Sequence, residues 1–145
     1  MVEADAEHLQ RFRDSLDPNE FYTDAGAMRE ALERRTSFNI IDITGGWKVD
    51  LLVRRDRQFS VTELSRRIAV RILDTSTFVA SPEDTVIAKL EWASQGDSER
   101  QFRDVIGILE AQGASIDRAY LDHWINALDL GHAWQAVAKP AQETD

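Results

Sequence analysis

Four charged side chains stand out in the sequence as candidates for binding or catalysis: Asp50, Lys89, Arg103 and Asp104. Asp50 lies inside an apolar run with the alternation of a strand, where a carboxylate either faces solvent or projects into a cleft. In a cleft it would suit Mg²⁺, which prefers oxygen ligands. Lys89, Arg103 and Asp104 lie on two predicted helices, where they could equally form ion pairs on the surface.

Other residue types that commonly perform catalysis are scarce or badly spaced. The three histidines, His8, His123 and His132, lie far apart, and no two have the i, i+4 spacing of a zinc-binding helix. Because the chain has no cysteine, disulfides, thiolate metal sites and a cysteine nucleophile are excluded. No P-loop or G-x-S-x-G motif is present, and Gly45-Gly46 is typical of a hairpin turn.

The charge pattern leaves one stretch that could bind phosphate. The net charge is −9, yet the segment from Arg54 to Arg71 holds six arginines and two acids. Nucleic-acid binding through this segment is one interpretation, and a solvated basic face is the other. The arginines predicted to contact nucleic acid are Arg54, Arg55, Arg66 and Arg67.

Residues 1–80 are predicted to form the sheet portion of the fold. Apolar spacing indicates a helix over 4–16 and another over 25–35, capped by Thr23 or Asp24. Two β-rich runs around Gly45-Gly46 predict an antiparallel hairpin, with Trp47, Val49, Leu51 and Val53 on one face. A short helix over 60–67 and strands over 69–73 and 77–80 complete this portion.

Residues 81–140 are predicted to be helical, with a tail over 141–145. Ser81-Pro82 offers a hydroxyl cap followed by proline at the first helical position. Ser98 to Gln101 reads as a capping box that opens a second helix. Helices over 117–128, with Gly131 as its stop, and over 132–138 follow. The fold class predicted for the chain is therefore α+β.

Four segments of the sequence, taken together, resemble a family of bacterial nucleotidyltransferase-like proteins. The family is related to the minimal nucleotidyltransferases and to the AbiEii-type toxins, and the resemblance extends from about Glu7 to about Leu130. It is carried by residues Ser37 to Asp42, Lys48 to Leu51, Ser81 to Trp92 and Ser98 to Val105.

The resemblance implies a fold and a chemistry. The fold would be a mixed sheet flanked by helices, followed by a helical C-terminal bundle. In the family, acids on the sheet hold divalent metal, usually Mg²⁺, which positions an NTP for nucleotidyl transfer. Asp50 matches the third of these acids, as a catalytic and metal-binding residue. Lys89 resembles the helical lysine that contacts the triphosphate, and Arg103 with Asp104 resembles a late Arg-Asp pair of the toxin relatives.

The sequence departs from the family at its first motif. A Gly-Ser turn followed by Asp-x-Asp is expected before the helix that begins near Ala4, whereas Asp5 and Glu7 lie within a predicted helix. The resemblance therefore implies a domain that is incomplete or inactive as this chain, and it leaves enzymatic activity undecided. The alternative is a non-catalytic interaction module, such as a toxin–antitoxin component or regulatory subunit with a protein partner.

Two further expectations concern assembly and location. A sheet that lacks strands would leave an unpaired edge, which favours a homodimer. The sequence contains neither a secretory signal nor an apolar run long enough to cross a membrane, so we expect a cytoplasmic protein without membrane contact.

Overall fold

The structure is a computed structural model that describes residues 1–96 and 98–138. Within these residues the fold contains seven α-helices and two small antiparallel sheets, which confirms the α+β class. The chain divides into two compact units, the first spanning Met1–Ser65 and the second beginning at Arg66. This division comes earlier than the boundary predicted at residue 80, because the second sheet belongs to the same unit as the later helices. The predicted tail over 141–145 lies outside the described residues.

The first unit contains three helices and a three-stranded sheet with the strand order β1-β2-β3. Two of the helices begin at aspartate caps, as expected for short acceptors at this position. Asp5 accepts a hydrogen bond from the backbone N–H of His8, and Asp24 accepts from those of Gly26 and Ala27. The elements are α1 (Ala6–Asp14), β1 (Phe21–Thr23), α2 (Ala25–Arg34), β2 (Ser37–Asp42), β3 (Lys48–Leu52) and α3 (Gln58–Ser65).

The core of the first unit lies between one face of the sheet and the helices α1 and α2. Phe38 and Ile40 of β2 are buried and pair with Leu51 and Val49 of β3. This register places Val49 and Leu51 on the same face of the sheet, as predicted, and this is the face that carries the core. Val49 is nevertheless 53% exposed. The buried members of the cluster are Leu9, Met28, Ala31, Phe38, Ile40 and Val53.

The turn between β2 and β3 is stabilised by Asp42 and by a glycine. One carboxylate oxygen of Asp42 accepts hydrogen bonds from the backbone N–H groups of Thr44 and Gly45. Gly46 has a φ of 68°, a left-handed conformation that favours glycine. The predicted hairpin with a Gly-Gly turn is therefore confirmed. The strand β1, which pairs with β2, was not predicted.

The second unit contains a two-stranded hairpin followed by four helices. The helix α4 packs against α5, α6 and α7, and it occupies the centre of this unit. Val86, Ile87 and Leu90 on its inward face are fully buried. The elements are β4 (Ile68–Ile72), β5 (Thr75–Val79), α4 (Pro82–Ser94), α5 (Ser98–Gln112), α6 (Arg118–Ala127) and α7 (Gly131–Ala138), with a 3₁₀ turn over Gly113–Ser115 between α5 and α6.

Of two predicted helix boundaries, the start of α4 is confirmed and the end of α6 is wrong. The backbone N–H of Asp84 donates to the Ser81 hydroxyl, which confirms the cap of α4. Gly131, however, begins α7 and does not end α6. Asp129 takes the left-handed conformation after α6, with a φ of 54°, which a short polar residue tolerates better than most. The side chain of Ser98 lies outside the described residues.

The helix α3 also differs from its prediction over 60–67. It begins at Gln58 and ends at Ser65, so that Arg66 and Arg67 follow it and are not part of it. In the described part of the chain, no helix has the length and apolar character needed to cross a lipid bilayer.

Candidate functional site

Three of the four predicted site residues line one open groove in the second unit. The groove lies along α4 and α5 and has a volume of about 560 Å³. Lys89 reaches it from α4, and Arg103 and Asp104 reach it from α5. Gly107 lacks a side chain, and apart from its chain neighbours and the backbone of α5 itself no heavy atom lies within 4 Å of where its Cβ would be, which leaves open space along α5. The groove therefore has a charged end and an open stretch beside it.

The charged end of the groove is organised by an ion pair between the two helices. The Lys89 ammonium lies 2.6 Å from a carboxylate oxygen of Asp104 and 3.4 Å from the side-chain oxygen of Gln101. The hydrogen bond from Lys89 is the main cause that lowers the pKa of Asp104, which stays ionised at neutral pH. An ammonium has three N–H donors, so Lys89 keeps one for a ligand.

Arg103 provides a second cation at this groove. Its side chain is exposed, and no ion pair or hydrogen bond of this guanidinium occurs among the described residues. The charges of Arg100 and Arg103 both help to lower the pKa of Asp104, after the contribution of Lys89. The charged side chains that line the groove are Lys89, Arg103 and Asp104, so its lining carries a net charge of +1 on a chain of net charge −9. Such a region attracts anions.

Asp50, the fourth predicted residue, belongs to the first unit and lies on the open face of its sheet. It accepts a 2.7 Å hydrogen bond from the Asn39 amide, and the Lys48 ammonium is 3.3 Å away. One carboxylate beside an ammonium does not by itself form a Mg²⁺ site. Over residues 1–96 and 98–138, no three His, Cys, Asp or Glu side chains are grouped to hold a metal. The metal-binding role of Asp50 stays a prediction.

A second charged cluster in the second unit was not predicted from the sequence. Asp84 is fully buried at the start of α4, and both of its carboxylate oxygens are used. One oxygen accepts a 2.5 Å hydrogen bond from the Tyr120 hydroxyl, and the other accepts from the Ser81 hydroxyl and from Arg66. The Arg66 guanidinium also lies over the Tyr120 ring, 3.9 Å from its centroid.

Glu83 and Tyr120 show the electrostatic character of this cluster. Burial favours the neutral form of Glu83, but hydrogen bonds from the Asp117 and Glu83 backbones and from Ser81, together with the charge of Arg66, hold its pKa below the ordinary value. Burial and the neighbouring Asp84 raise the pKa of Tyr120. Because each of these side chains has a partner within the cluster, the cluster stabilises the junction of α4 with α6.

The arginines between Arg54 and Arg71 are largely engaged with acids and aromatic rings. Arg54 lies 2.8 Å from Glu3, and Arg71 lies 3.3 Å from Asp74. The Arg67 guanidinium lies over the ring of Phe78. With Arg66 held by Glu83 and Asp84, much of the predicted basic segment is neutralised within the protein. Nucleic-acid binding through Arg54, Arg55, Arg66 and Arg67 stays a prediction, with little support from this geometry.

Comparison with known proteins adds no assignment to these observations. No protein-family model, no curated protein and no solved structure matches the chain.

Proposed function

We propose that the chain is a nucleotidyltransferase-like domain that binds the phosphates of an NTP at the groove between α4 and α5. The observation that carries this proposal is the convergence of Lys89, Arg103 and Asp104 on one groove. These residues come from two different helices, and the resemblance implied a binding role for each of them. Together they offer two cations and one carboxylate to a ligand.

The ion pair within the groove suits a phosphate ligand. Lys89 is held by Asp104 in one position, which reduces the conformational entropy that it would lose on binding. Arg103 is exposed and can present its planar donors to phosphate oxygens. The two side chains thus combine a positioned charge with an adaptable one.

The reaction expected from the resemblance is transfer of a nucleoside monophosphate from an NTP to an acceptor, with release of pyrophosphate. Mg²⁺ would supply charge neutralisation at the phosphates. Because the groups around Asp50 do not make a metal site alone, we expect the ion to arrive bound to the NTP. The residues of this chain would contribute phosphate binding and orientation.

Calorimetric titration of the full chain with an NTP and Mg²⁺ tests this proposal. The wild type should bind, and Lys89→Ala and Arg103→Ala should each weaken binding by about tenfold, as loss of one charge-assisted hydrogen bond does.

The matched control is Arg118→Ala, which removes an exposed arginine from α6 and changes the net charge by the same amount as the other two alanine variants. Its affinity should equal that of the wild type. Equal affinity in Lys89→Ala and in the wild type would show that the groove is not the phosphate site. Circular dichroism spectra should confirm that each variant keeps its helical content.

A second candidate function, a non-catalytic interaction module, is favoured by the tip of the hairpin β4–β5. Leu73 is 92% exposed and has a φ of 54°, an unfavourable conformation for a bulky residue. Strained, exposed apolar residues are typical of binding positions. This candidate predicts a purified protein partner whose affinity falls in Leu73→Ser, together with no NTP binding by the wild type.

A further inference from the structure

The outer edge of β3 is open, and its residues alternate in a regular way. The backbone N–H of Val53 donates to the carbonyl of Thr36, and the carbonyl of Trp47 accepts from the N–H of Asp42. The backbone groups of Trp47 and Val53 therefore point towards β2. The carbonyl of Leu52 points outward and accepts from Val2. The period of two therefore directs the backbone groups of Lys48 and Asp50 outward as well.

These outward groups have no backbone partner in the described part of the chain. Val2 forms an isolated parallel bridge with Val53, and this contact covers only the end of β3. An exposed edge with free N–H and C=O groups is a template for pairing with another strand. The stretch from Trp47 to Asp50 is available for such pairing.

The side chains along this edge are complementary to themselves in one antiparallel register. With a two-fold axis at Val49, Lys48 lies opposite the partner's Asp50, and Asp50 lies opposite the partner's Lys48. The same register pairs Trp47 with the partner's Leu51 on the other face of the sheet. Shifting the two-fold axis to Lys48 would place Lys48 opposite the partner's Lys48, and shifting it to Asp50 would place Asp50 opposite the partner's Asp50. Like charges directly opposite each other disfavour both of these registers.

Exposure of the apolar residues supports the same register. Trp47 is 73% exposed and Val49 is 53% exposed, although both lie on the face that carries the core of the first unit. In the antiparallel arrangement, Val49 contacts its own copy, and Trp47 gains a neighbour across the two strands. Pairing would bury apolar area as well as satisfy backbone groups.

We infer that the β3 edge is a homodimer interface in which two copies of this chain pair antiparallel about Val49, held by reciprocal ion pairs between Lys48 and the partner's Asp50. The pairing joins two three-stranded sheets into one continuous sheet of six strands. It adds four backbone hydrogen bonds, two from each copy, through the outward groups of Lys48 and Asp50. This inference is independent of the proposed nucleotide binding.

Charge exchange at the two positions provides a sharp test by sedimentation velocity over a micromolar to submillimolar concentration series. The wild type should dimerise. Lys48→Glu places two acids opposite each other at both ion pairs, and Asp50→Lys places two lysines there. Each single variant should weaken dimerisation by at least about tenfold, since two attractive pairs become repulsive.

Mixing the two single variants separates the interface from a general folding defect. In the mixed dimer of Lys48→Glu with Asp50→Lys, both cross-strand pairs again join an acid to a lysine. The mixture should therefore form a dimer that neither variant forms alone. The double variant with both changes should also regain the dimer, because it exchanges the two charges within each copy.

Three results would overturn the inference. The wild type could remain monomeric over the whole series, or the single variants could dimerise as strongly as the wild type. The mixture could also fail to dimerise although both variants keep the wild-type circular dichroism spectrum. A dimer that is insensitive to these changes would use a different surface, such as the hairpin β4–β5.

Discussion

At the level of single residues, Asp84 and Lys89 are charged groups on the same helix with very different surroundings. Asp84 is fully buried and accepts from three side chains, those of Ser81, Arg66 and Tyr120. Lys89 is 26% exposed and faces an open groove. The first pattern is typical of a structural group and the second of a binding group.

The buried position of Asp84 leads to a stability prediction. Asp84→Ala should lower the free energy of unfolding by about 3 kcal/mol, because the donors around it lose their acceptor within the protein. Urea unfolding followed by circular dichroism measures this loss. Asp122→Ala, at an exposed acid on α6, is the control and should change the value by less than about 0.5 kcal/mol. A loss at Asp84 as small as that of the control would contradict the structural role.

The shifted groups around Asp84 predict how stability depends on pH. The pKa of Tyr120 is raised in the folded state, so its contribution is present below about pH 10 and is lost as the pH rises further. The pKa of Glu83 is lowered, so its contribution is present at neutral pH and is lost as the pH falls below about 4. We therefore expect stability to decline at both extremes.

Thermal unfolding measured from acid to alkaline pH tests the acid decline and the alkaline decline in stability separately. In Tyr120→Phe the alkaline decline should become shallower, whereas in Glu83→Gln the acid decline should become shallower. Both variants should be less stable than the wild type at neutral pH, since Tyr120→Phe loses the hydroxyl that donates to Asp84 and Glu83→Gln loses the charge that pairs with Arg66. Unchanged slopes in both variants would show that other residues cause the pH dependence.

At the level of elements, the turn between β2 and β3 and the turn between β4 and β5 each contain a residue in the left-handed conformation. The first of these residues is a glycine and the second is a bulky leucine. Gly46 and Leu73 both have a positive φ, of 68° and 54°. Gly46→Ala should destabilise the protein by about 1 kcal/mol, because alanine disfavours this region. Leu73→Gly should be neutral or stabilising by up to about 1 kcal/mol, for the converse reason. Urea unfolding measures both, and equal signs would contradict this account of the turns.

The sequence predicted those elements whose signals are local. Asp24 and Ser81 cap their helices through backbone groups only two or three residues away, so that local residue types identified both helix starts. The three-residue strand Phe21–Thr23 was missed because its hydrogen bonds come from β2, later in the chain. Gly131 was assigned as a stop, since the pattern does not reveal that Asp129 takes the left-handed position.

The candidate site shows the same limit. Lys89 and Asp104 were selected through a resemblance, and their contact depends on the packing of α4 against α5. The cluster around Asp84 joins residues that are 18 and 36 positions apart, to Arg66 and Tyr120. No periodicity within one element encodes such a contact, so it becomes visible only when the helices are packed.

At the level of the whole molecule, the chain is strongly acidic, so the positions of its cationic side chains indicate where an anionic ligand can bind. Because the chain has a net charge of −9, most of its surface should repel a nucleoside triphosphate. Lys89 and Arg103 line the groove together with Asp104, which gives the lining of the groove a net charge of +1. An anionic ligand should therefore bind at this region in preference to the rest of the protein.

Amide chemical shifts of the ¹⁵N-labelled chain, recorded while an NTP and Mg²⁺ are added, test whether the NTP binds in the groove between α4 and α5. We expect saturable shifts that are largest at Lys89, Arg103, Asp104 and Gly107, which line this groove. The same titration of Lys89→Ala should require a higher ligand concentration for the same shifts. An absence of shifts at millimolar NTP, or shifts confined to residues away from this groove, would contradict this expectation.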